Sequence, residues 1–156
     1  METYFGYIET VQDALLVIEA ARSGILRRSQ HRLTDKERRS IRSGSVFVWD
    51  ESEAGMRRWT DGRAWSPSRV NGCFLNYREL EHRRRGNSTS APYAHFRYKT
   101  DGLVKRTISV TVSENRKLHL VSYFSKQDVA KSLLRCPRND PALSEQAIPP
   151  EFYPDV

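Results

Sequence analysis

Residues 103–124, LVKRTISVTVSENRKLHLVSYF, carry the most regular pattern in the chain. Residues 103–112 alternate β-branched or apolar side chains with polar ones, and residues 118–124 form a second run rich in apolar residues. Alternation with a period of two is typical of a strand that buries one face. The polar residues Ser113–Lys117 between the runs are typical of a turn. The segment therefore predicts two adjacent strands joined by a tight connection.

Two helix starts lie upstream of this strand pair. Thr10 precedes apolar residues at helical spacing, and Gly24 ends that pattern, which predicts a first helix. The sequence Thr34-Asp-Lys-Glu37 is a capping box, in which the threonine oxygen and the glutamate carboxylate satisfy free amides of the first turn. It predicts a short helix to about Arg42, mostly charged, with Ile41 as its core contact.

The segment between this helix and the linker contains a second group of strand signals. Ser45–Asp50 (SVFVWD) predicts a strand, and Met56–Thr60 is the predicted hairpin partner beyond a polar turn at Gly55. From Arg69 to Leu80 the apolar residues recur at roughly helical spacing, which favours a helix, although a strand over 74–77 is also compatible.

Toward the C-terminus the pattern becomes polar and rich in proline. Residues 81–98 predict a linker. Ser125 predicts the cap of a last helix, with Val129, Leu133 and Leu134 on one face. Residues 137–156 contain five of the seven prolines and predict an extended or disordered tail, packed at most through Phe152 and Tyr153. These elements together indicate the α+β class.

Composition excludes several classes of protein. The 156 residues suit one domain or two small lobes. No run approaches the roughly 18 apolar residues of a membrane span, and the N-terminus lacks a secretory pattern. Two isolated cysteines form neither a zinc motif nor a disulfide framework. With no glycine-rich phosphate loop either, we expect no cofactor.

The basic charge is segregated. There are 26 Lys and Arg against 19 acids, and most of the excess lies in residues 22–42, 57–85 and 97–106. A solvated face is the ordinary explanation for one such stretch. Three stretches that are rich in arginine and interleaved with aromatic and hydroxyl side chains favour nucleic acid, because the planar guanidinium fork matches phosphate.

The densest basic stretch is residues 57–69, RRWTDGRAWSPSR. A hairpin end here would place Arg63 at the tip of the Asp61-Gly62 turn, where it could enter the narrow minor groove of A·T-rich DNA. Trp59 and Trp65 are expected to support the loop from the core. Over the three stretches, the predicted DNA-contacting residues are Arg42, Arg57, Arg58, Thr60, Arg63, Ser66, Ser68, Arg69, Lys99 and Lys105.

Residues Thr34–Leu80 closely resemble the WOPR-domain family of fungal transcription regulators, which control morphological switching and differentiation. The segment with RWTDGR and WSPSR is the specific signature. GYIET at 6–10, and GLVKRTISV with LHLVSYFS inside 102–125, also match the family pattern.

The resemblance implies two small entwined lobes, residues 1–80 and 99–136, that share antiparallel sheet with a few peripheral helices. Residues 81–98 would link the lobes and residues 137–156 would form the proline-rich tail. It also implies sequence-specific binding to A·T-rich double-stranded DNA, in the nucleus. We expect binding as a monomer.

Two other functions compete with duplex binding. An RNA or single-strand binding module would use the same basic and aromatic residues. A metal-dependent nuclease would need the carboxylates of Asp50, Glu51 and Glu53 to hold a divalent ion, although a polar turn explains these three residues better.

Thr60 is a candidate for phosphorylation. Arg57 and Arg58 have the spacing before Thr60 that basophilic kinases recognise, and the family resemblance implies kinase control in some members. A threonine half-buried in a strand would be closed to a kinase, and this alternative remains open from the sequence.

Overall fold

The computed structural model describes residues 2–81 and 97–153, so that most of the predicted linker lies outside the described residues. The strands are β1 (Tyr4–Phe5), β2 (Ser45–Asp50), β3 (Arg69–Asn71), β4 (Phe74–Arg78), β5 (Val104–Val112) and β6 (Arg116–Phe124). The helices are α1 (Val11–Arg22), α2 (Asp35–Arg39), α3 (Glu51–Ala54), α4 (Lys126–Ala130) and α5 (Pro141–Ser144). Short 3₁₀ turns occur at Ser113–Asn115, Pro137–Asn139 and Pro150–Phe152.

One six-stranded antiparallel sheet organises the fold, in the order β1-β2-β6-β5-β4-β3. The predicted strand pair β5–β6 is confirmed and forms the centre, with Ser109 opposite His119. Strands from the first 80 residues flank this pair on both sides, β2 beside β6 and β4 beside β5. The α+β class, with sheet shared between the two predicted lobes, is therefore confirmed.

The hairpin predicted over 45–60 is wrong. The Asp50 carboxylate accepts hydrogen bonds from the amides of Ser52 and Glu53 and so caps the short helix α3. Gly55, at φ +63°, ends that helix, and Met56–Thr60 then runs as irregular chain. β2 has no need of a hairpin partner, because β1 and β6 take its two edges.

The helix favoured over 69–80 is also wrong and the alternative strand over 74–77 is confirmed, since this segment forms the hairpin β3–β4. Gly72, at φ +60°, makes the turn, a conformation that glycine adopts without steric cost. Leu75 pairs with Thr107 of β5. This pairing between residues distant in sequence outweighs the local helical spacing.

The capping box predicted at Thr34 is confirmed, and the helix start predicted at Thr10 is confirmed with a capping box that the sequence analysis did not name. Thr10 Oγ1 accepts from the amide of Asp13 at 3.2 Å, and the Asp13 carboxylate accepts from the amide of Thr10 at 3.0 Å. Thr34 and Glu37 make the same reciprocal pair in α2. α2 ends at Arg39, earlier than predicted, and Ile41 is buried as expected.

Two hydrophobic clusters lie on opposite faces of the sheet. On one face, α1 and the C-terminal residues Leu143 and Tyr153 pack on apolar side chains of β2, β5 and β6. On the other face, Phe47, Trp49, Val121 and Tyr123 of the sheet meet Leu33, Ile41 and Met56, with Trp59 and Trp65 at their margin. The sheet is thus the middle of three layers.

The predicted C-terminal structure needs two corrections. Ser125 caps α4 as expected, but the helix is one turn long and Leu133 is 63% exposed rather than packed. The tail through residue 153 is folded: Leu143 is 2% exposed, and the Tyr153 hydroxyl donates to Glu19 at 2.7 Å. The packing expected of Phe152 and Tyr153 is present.

In the described ranges 2–81 and 97–153, every helix is too short or too polar to cross a bilayer.

Candidate nucleic-acid interface

Charge is divided unequally between the two outer layers. Residues 27–44 and 56–69, which cover the Trp49 face of the sheet and are called here the basic layer, contain eleven Arg or Lys and three acids. Residues 9–22 and 135–153, the opposite layer, contain three Arg and six acids. Of the two outer layers, one is therefore strongly basic and the other is acidic, and a strongly basic layer is the electrostatic footprint of a polyanion-binding surface.

Asp61 holds the basic layer to the sheet. Its carboxylate is buried and accepts hydrogen bonds from the Trp65 indole at 3.0 Å and the Tyr123 hydroxyl at 2.7 Å. It also accepts from the amide of Arg63 at 3.0 Å and lies 3.5 Å from the Lys105 ammonium. One aspartate thus joins its own segment to the central strands β5 and β6.

The pKa values of this cluster follow from its burial. Burial by itself raises the pKa of Asp61, but the Trp65 hydrogen bond and the Lys105 ammonium outweigh it and hold that pKa below its usual value. Desolvation lowers the pKa of Lys105, and Asp61 offsets this in part. Burial and the nearby carboxylate raise the pKa of Tyr123 far above its usual value, so its hydroxyl remains a donor.

The two tryptophans of the basic layer pack inward, as predicted. Trp59 stacks on Trp49 with ring centroids 4.8 Å apart, and its indole donates to the Tyr123 hydroxyl at 2.7 Å. The Trp65 ring lies 4.7 Å from the Lys105 ammonium. These contacts support the backbone that carries Arg63 between them.

Five of the predicted contact residues are exposed in the 56–69 part of the basic layer: Arg57, Arg58, Thr60, Ser68 and Arg69. The Arg57 side chain is 88% exposed, with its Nε 3.4 Å from the Glu51 carboxylate. Thr60 is exposed and lies outside every strand, which answers the question of its accessibility. Arg32 Nη1 lies 3.5 Å from Thr60 Oγ1, so the loop 25–33 meets this segment, a contact that sequence analysis missed.

Arg63 does not lie at a hairpin tip, contrary to the prediction. Its side chain is only 21% exposed, and its guanidinium donates to the backbone carbonyl of Ile41 at 3.0 Å and lies 3.8 Å from the Glu79 carboxylate. The guanidinium therefore joins its segment to the residues that follow α2.

Ser66 and Lys105 are also held by internal contacts. The Ser66 hydroxyl accepts from the amide of Arg78 at 2.9 Å, which braces β4. Lys105 is 12% exposed beside Asp61 and Trp65. Both side chains therefore position the layer rather than project from it.

Arg42 and Lys99 lie apart from the exposed group. Arg42 pairs with Glu2 at 2.8 Å and covers the ring of Phe5, next to the edge strand β1. Lys99 pairs with Glu79 at 3.3 Å, beyond the other end of the layer. Each remains solvent-accessible, but neither is brought next to Arg57.

A groove of about 320 Å³ runs between residues 57–59 and strands β4–β6. Its lining combines cations with hydroxyl and aromatic groups, and none of the described lining residues is acidic: Trp49, Arg57, Arg58, Trp59, Tyr77, Lys105, Thr107, Ile108, Ser109, His119, Leu120 and Val121. Carboxylates border this lining, because Glu51 lies 2.9 Å from His119 and 3.4 Å from Arg57, and Asp61 lies 3.5 Å from Lys105. The polar alternation of Thr107 and Ser109 along β5 is the sequence signal that could have located it.

The three carboxylates that a nuclease would need each lie against a different basic side chain. Asp50 binds Arg116 at 2.7 Å, Glu53 binds Arg28 at 2.9 Å and Glu51 lies 2.9 Å from His119. Within the part of the chain that the structure describes, no group of three His, Cys, Asp or Glu side chains could hold a metal ion. This geometry gives the nuclease hypothesis no support.

The six-stranded sheet with its helices has the architecture of a WOPR domain. The structure matches the WOPR domain of Wor1 from Candida albicans, solved with a 13 bp double-stranded DNA, with a TM-score of 0.80 and 37% identity over 97% of this chain and 93% of that one. The chain belongs to the Gti1/Pac2 family, whose profile matches residues 3–97 and 86–125.

Two relatives illustrate the range of the family. The cAMP-independent regulatory protein pac2 of Schizosaccharomyces pombe is 42% identical, with an alignment that covers all of this chain and 83% of pac2. The global transcription regulator sge1 of Gibberella fujikuroi is 34% identical over 90% of this chain and 57% of its own length.

Proposed function

We propose that the basic layer binds double-stranded DNA sequence-specifically, as the DNA-binding domain of a transcription regulator. The charge separation across the sheet carries this proposal, because a solvated surface has no need to collect eleven cations on one side. The likeness to a domain solved with double-stranded DNA supports it.

The exposed group supplies the direct contacts in this proposal. Arg57, Arg58 and Arg69 reach phosphates or base edges, with Ser68 and Arg32 beside them. The basic layer is held in place by the internal contacts of three other predicted residues, Arg63, Ser66 and Lys105, which position the exposed side chains. Arg42 and Lys99, at its margins, contact phosphates farther along the duplex. The A·T preference, monomeric binding and nuclear action belong to the same proposal.

Affinity for duplex DNA should fall steeply with salt concentration. If about six phosphates are neutralised, the plot of log K against log salt has a slope near −5. Arg57→Ala should reduce this slope by about one, whereas Arg135→Ala, a 62% exposed arginine of the opposite layer, should leave it unchanged. Fluorescence anisotropy on one duplex measures both variants. A flat salt dependence of the wild type would contradict the electrostatic proposal.

Selection from a random duplex pool tests sequence specificity and the RNA alternative together. An enriched A·T-rich motif, bound in preference to single-stranded RNA of the same sequence, is the expected result. Tighter binding to the RNA would favour the single-strand module instead.

We also propose that phosphorylation of Thr60 by a basophilic kinase weakens DNA binding. The hydroxyl is exposed, follows Arg57 and Arg58, and lies beside Arg32. A phosphate adds about −1.5 to −2 charges, which repel the DNA backbone and attract these arginines away from it.

The variant Thr60→Glu should therefore lower duplex affinity on the order of five- to tenfold at fixed salt. Ser144→Glu, which adds the same charge on the exposed surface of the opposite layer, should change affinity little. Thr60→Val should bind nearly as wild type does. Equal affinity of folded Thr60→Glu and wild type would refute the switch, with circular dichroism establishing that each variant is folded.

A further inference from the structure

A line of four side chains connects the centre of the sheet to the basic layer. The Ser109 hydroxyl of β5 lies 2.6 Å from His119 Nδ1, and His119 Nε2 lies 2.9 Å from Glu51 Oε2. The other oxygen of that carboxylate, Oε1, lies 3.4 Å from Arg57 Nε. These four residues are called here the histidine relay. Its outer end is an arginine for which we propose contact with DNA.

The partners of His119 indicate which ring nitrogen carries the proton in the neutral form. A carboxylate only accepts, so Nε2 donates to Glu51 and Nδ1 accepts from the Ser109 hydroxyl. When the ring is protonated, Nδ1 becomes a donor, and the serine oxygen accepts from it because a hydroxyl serves in both roles. The ring therefore gains or loses a proton with both of its partners in place.

The His119 ring is also fixed in position. It stacks on Trp49 with ring centroids 4.8 Å apart, and its side chain is only 11% exposed. Histidine is the side chain that ordinarily changes charge near neutral pH. A change of pH therefore alters the charge at one defined point beside Glu51.

Glu51 is the acid that responds to this change. In residues 2–81 and 97–153, no other carboxylate lies within ion-pair distance of His119. The hydrogen bond from His119 holds the pKa of Glu51 below its usual value, so the carboxylate stays charged while an imidazole titrates. The other charged or titratable groups around this pair come from every neighbouring element: Asp50 of β2 with its partner Arg116, Tyr77 of β4, Lys105 of β5 with Asp61 beside it, Lys117 of β6, and Arg57 and Arg58.

We propose that His119 acts through Glu51 to control how freely Arg57 binds DNA, so that protonation of His119 strengthens duplex binding. With a neutral ring, Glu51 competes with DNA phosphates for the Arg57 guanidinium. With a protonated ring, the charge of Glu51 is balanced by His119, Arg57 is released, and the surface gains one positive charge. This inference rests on the proposed binding of duplex DNA by the basic layer, and it makes His119 a positioning residue for that binding.

The first test measures duplex affinity between pH 7.5 and pH 5.5 at fixed salt, by fluorescence anisotropy. Wild type should gain about three- to tenfold in affinity toward acid pH. Glu51→Gln should already bind tightly at pH 7.5 and should respond little to pH. Glu53→Gln removes a neighbouring carboxylate of the same helix, which is 32% exposed and bound to Arg28. This matched control should keep the wild-type pH response.

The second test removes the titrating group. His119→Gln keeps a hydrogen-bond donor but cannot change its charge, so it should lose most of the pH response. His31 has an exposed ring whose Nδ1 lies 2.8 Å from the Arg32 carbonyl oxygen, and His31→Gln should keep most of the response. Calorimetry in two buffers of different ionisation enthalpy measures the protons taken up on binding. Wild type should take up a fraction of a proton at about pH 6.5, and His119→Gln should take up less.

The outcomes separate the two proposals. A full pH response in Glu51→Gln, unchanged proton uptake in His119→Gln, or no gain of affinity by wild type at pH 5.5 overturns the relay, while duplex binding stands. Glu51→Gln changes a short surface helix, so it decides the question even if His119→Gln fails to fold, with circular dichroism at each pH as the check. If wild type binds no duplex at any pH, both proposals fall.

Discussion

Asp61→Ala is expected to destabilise the folded protein by about 3–5 kcal/mol, because it leaves the Lys105 ammonium buried without a carboxylate. The Trp65 indole and the Tyr123 hydroxyl lose their acceptor at the same time. A loss of this size is a large fraction of the stability of an ordinary domain. Urea unfolding followed by tryptophan fluorescence measures it directly.

Two further variants show whether the loss of stability comes from the buried Asp61–Lys105 pair or from replacing any aspartate by alanine. Asp35→Ala removes an aspartate that is 85% exposed and paired at the surface with Arg38, so we expect a change below about 1 kcal/mol. Asp61→Asn with Lys105→Met removes both charges and should recover part of the loss. A similar cost for the Asp35 and Asp61 variants would contradict the role assigned to the buried pair.

The contribution of Asp61 to the stability of the folded protein depends on pH in a defined direction. The folded-state pKa of Asp61 lies below its unfolded value. Its stabilisation is therefore complete above about pH 4 and is lost as the pH falls further. Wild type should lose stability in this acid range more steeply than Asp61→Asn with Lys105→Met.

Leu143→Ala is expected to lower the free energy of unfolding by about 2–5 kcal/mol. Leu143 is 2% exposed in the cluster formed by α1 and the sheet, so truncation leaves a cavity. Urea unfolding followed by tryptophan fluorescence measures this loss of stability as well.

Leu133→Ala is the matched control from the same C-terminal region. Leu133 is 63% exposed, and its truncation should change stability by no more than about 0.5 kcal/mol. The sequence pattern alone predicts the reverse order, with Leu133 packed and Leu143 in a loose tail. Equal losses in the two variants would show that the tail does not contribute to the core.

Features set by neighbouring residues were predictable. The helix start at Thr10 and the capping box at Thr34 follow from threonine side chains that reach amides three positions away. The strand pair 103–124 follows from alternation and a short connection. The family resemblance stated from Thr34–Leu80 agrees with the family to which the chain belongs.

Features set by distant pairing were not predictable from local pattern. Residues 69–80 have helical spacing, but β4 finds its partner in β5, about 30 residues away. Met56–Thr60 resembles a strand, yet β1 and β6 already pair with the two edges of β2. Side-chain spacing along one segment carries no information about which edge is already occupied.

The candidate interface divides in the same way. The sequence alone determined that the chain is rich in arginine, that its charge lies in separate stretches, and that Arg57, Arg58, Thr60 and Arg69 are candidates for contact. Only the tertiary structure decided that parts of the first two stretches lie together on one side of the sheet, that Lys99 lies beyond them, and that Arg63 points inward to the carbonyl of Ile41. The physical reason is that composition and local pattern specify charge and backbone preference, whereas exposure depends on which residues of the folded chain cover one another.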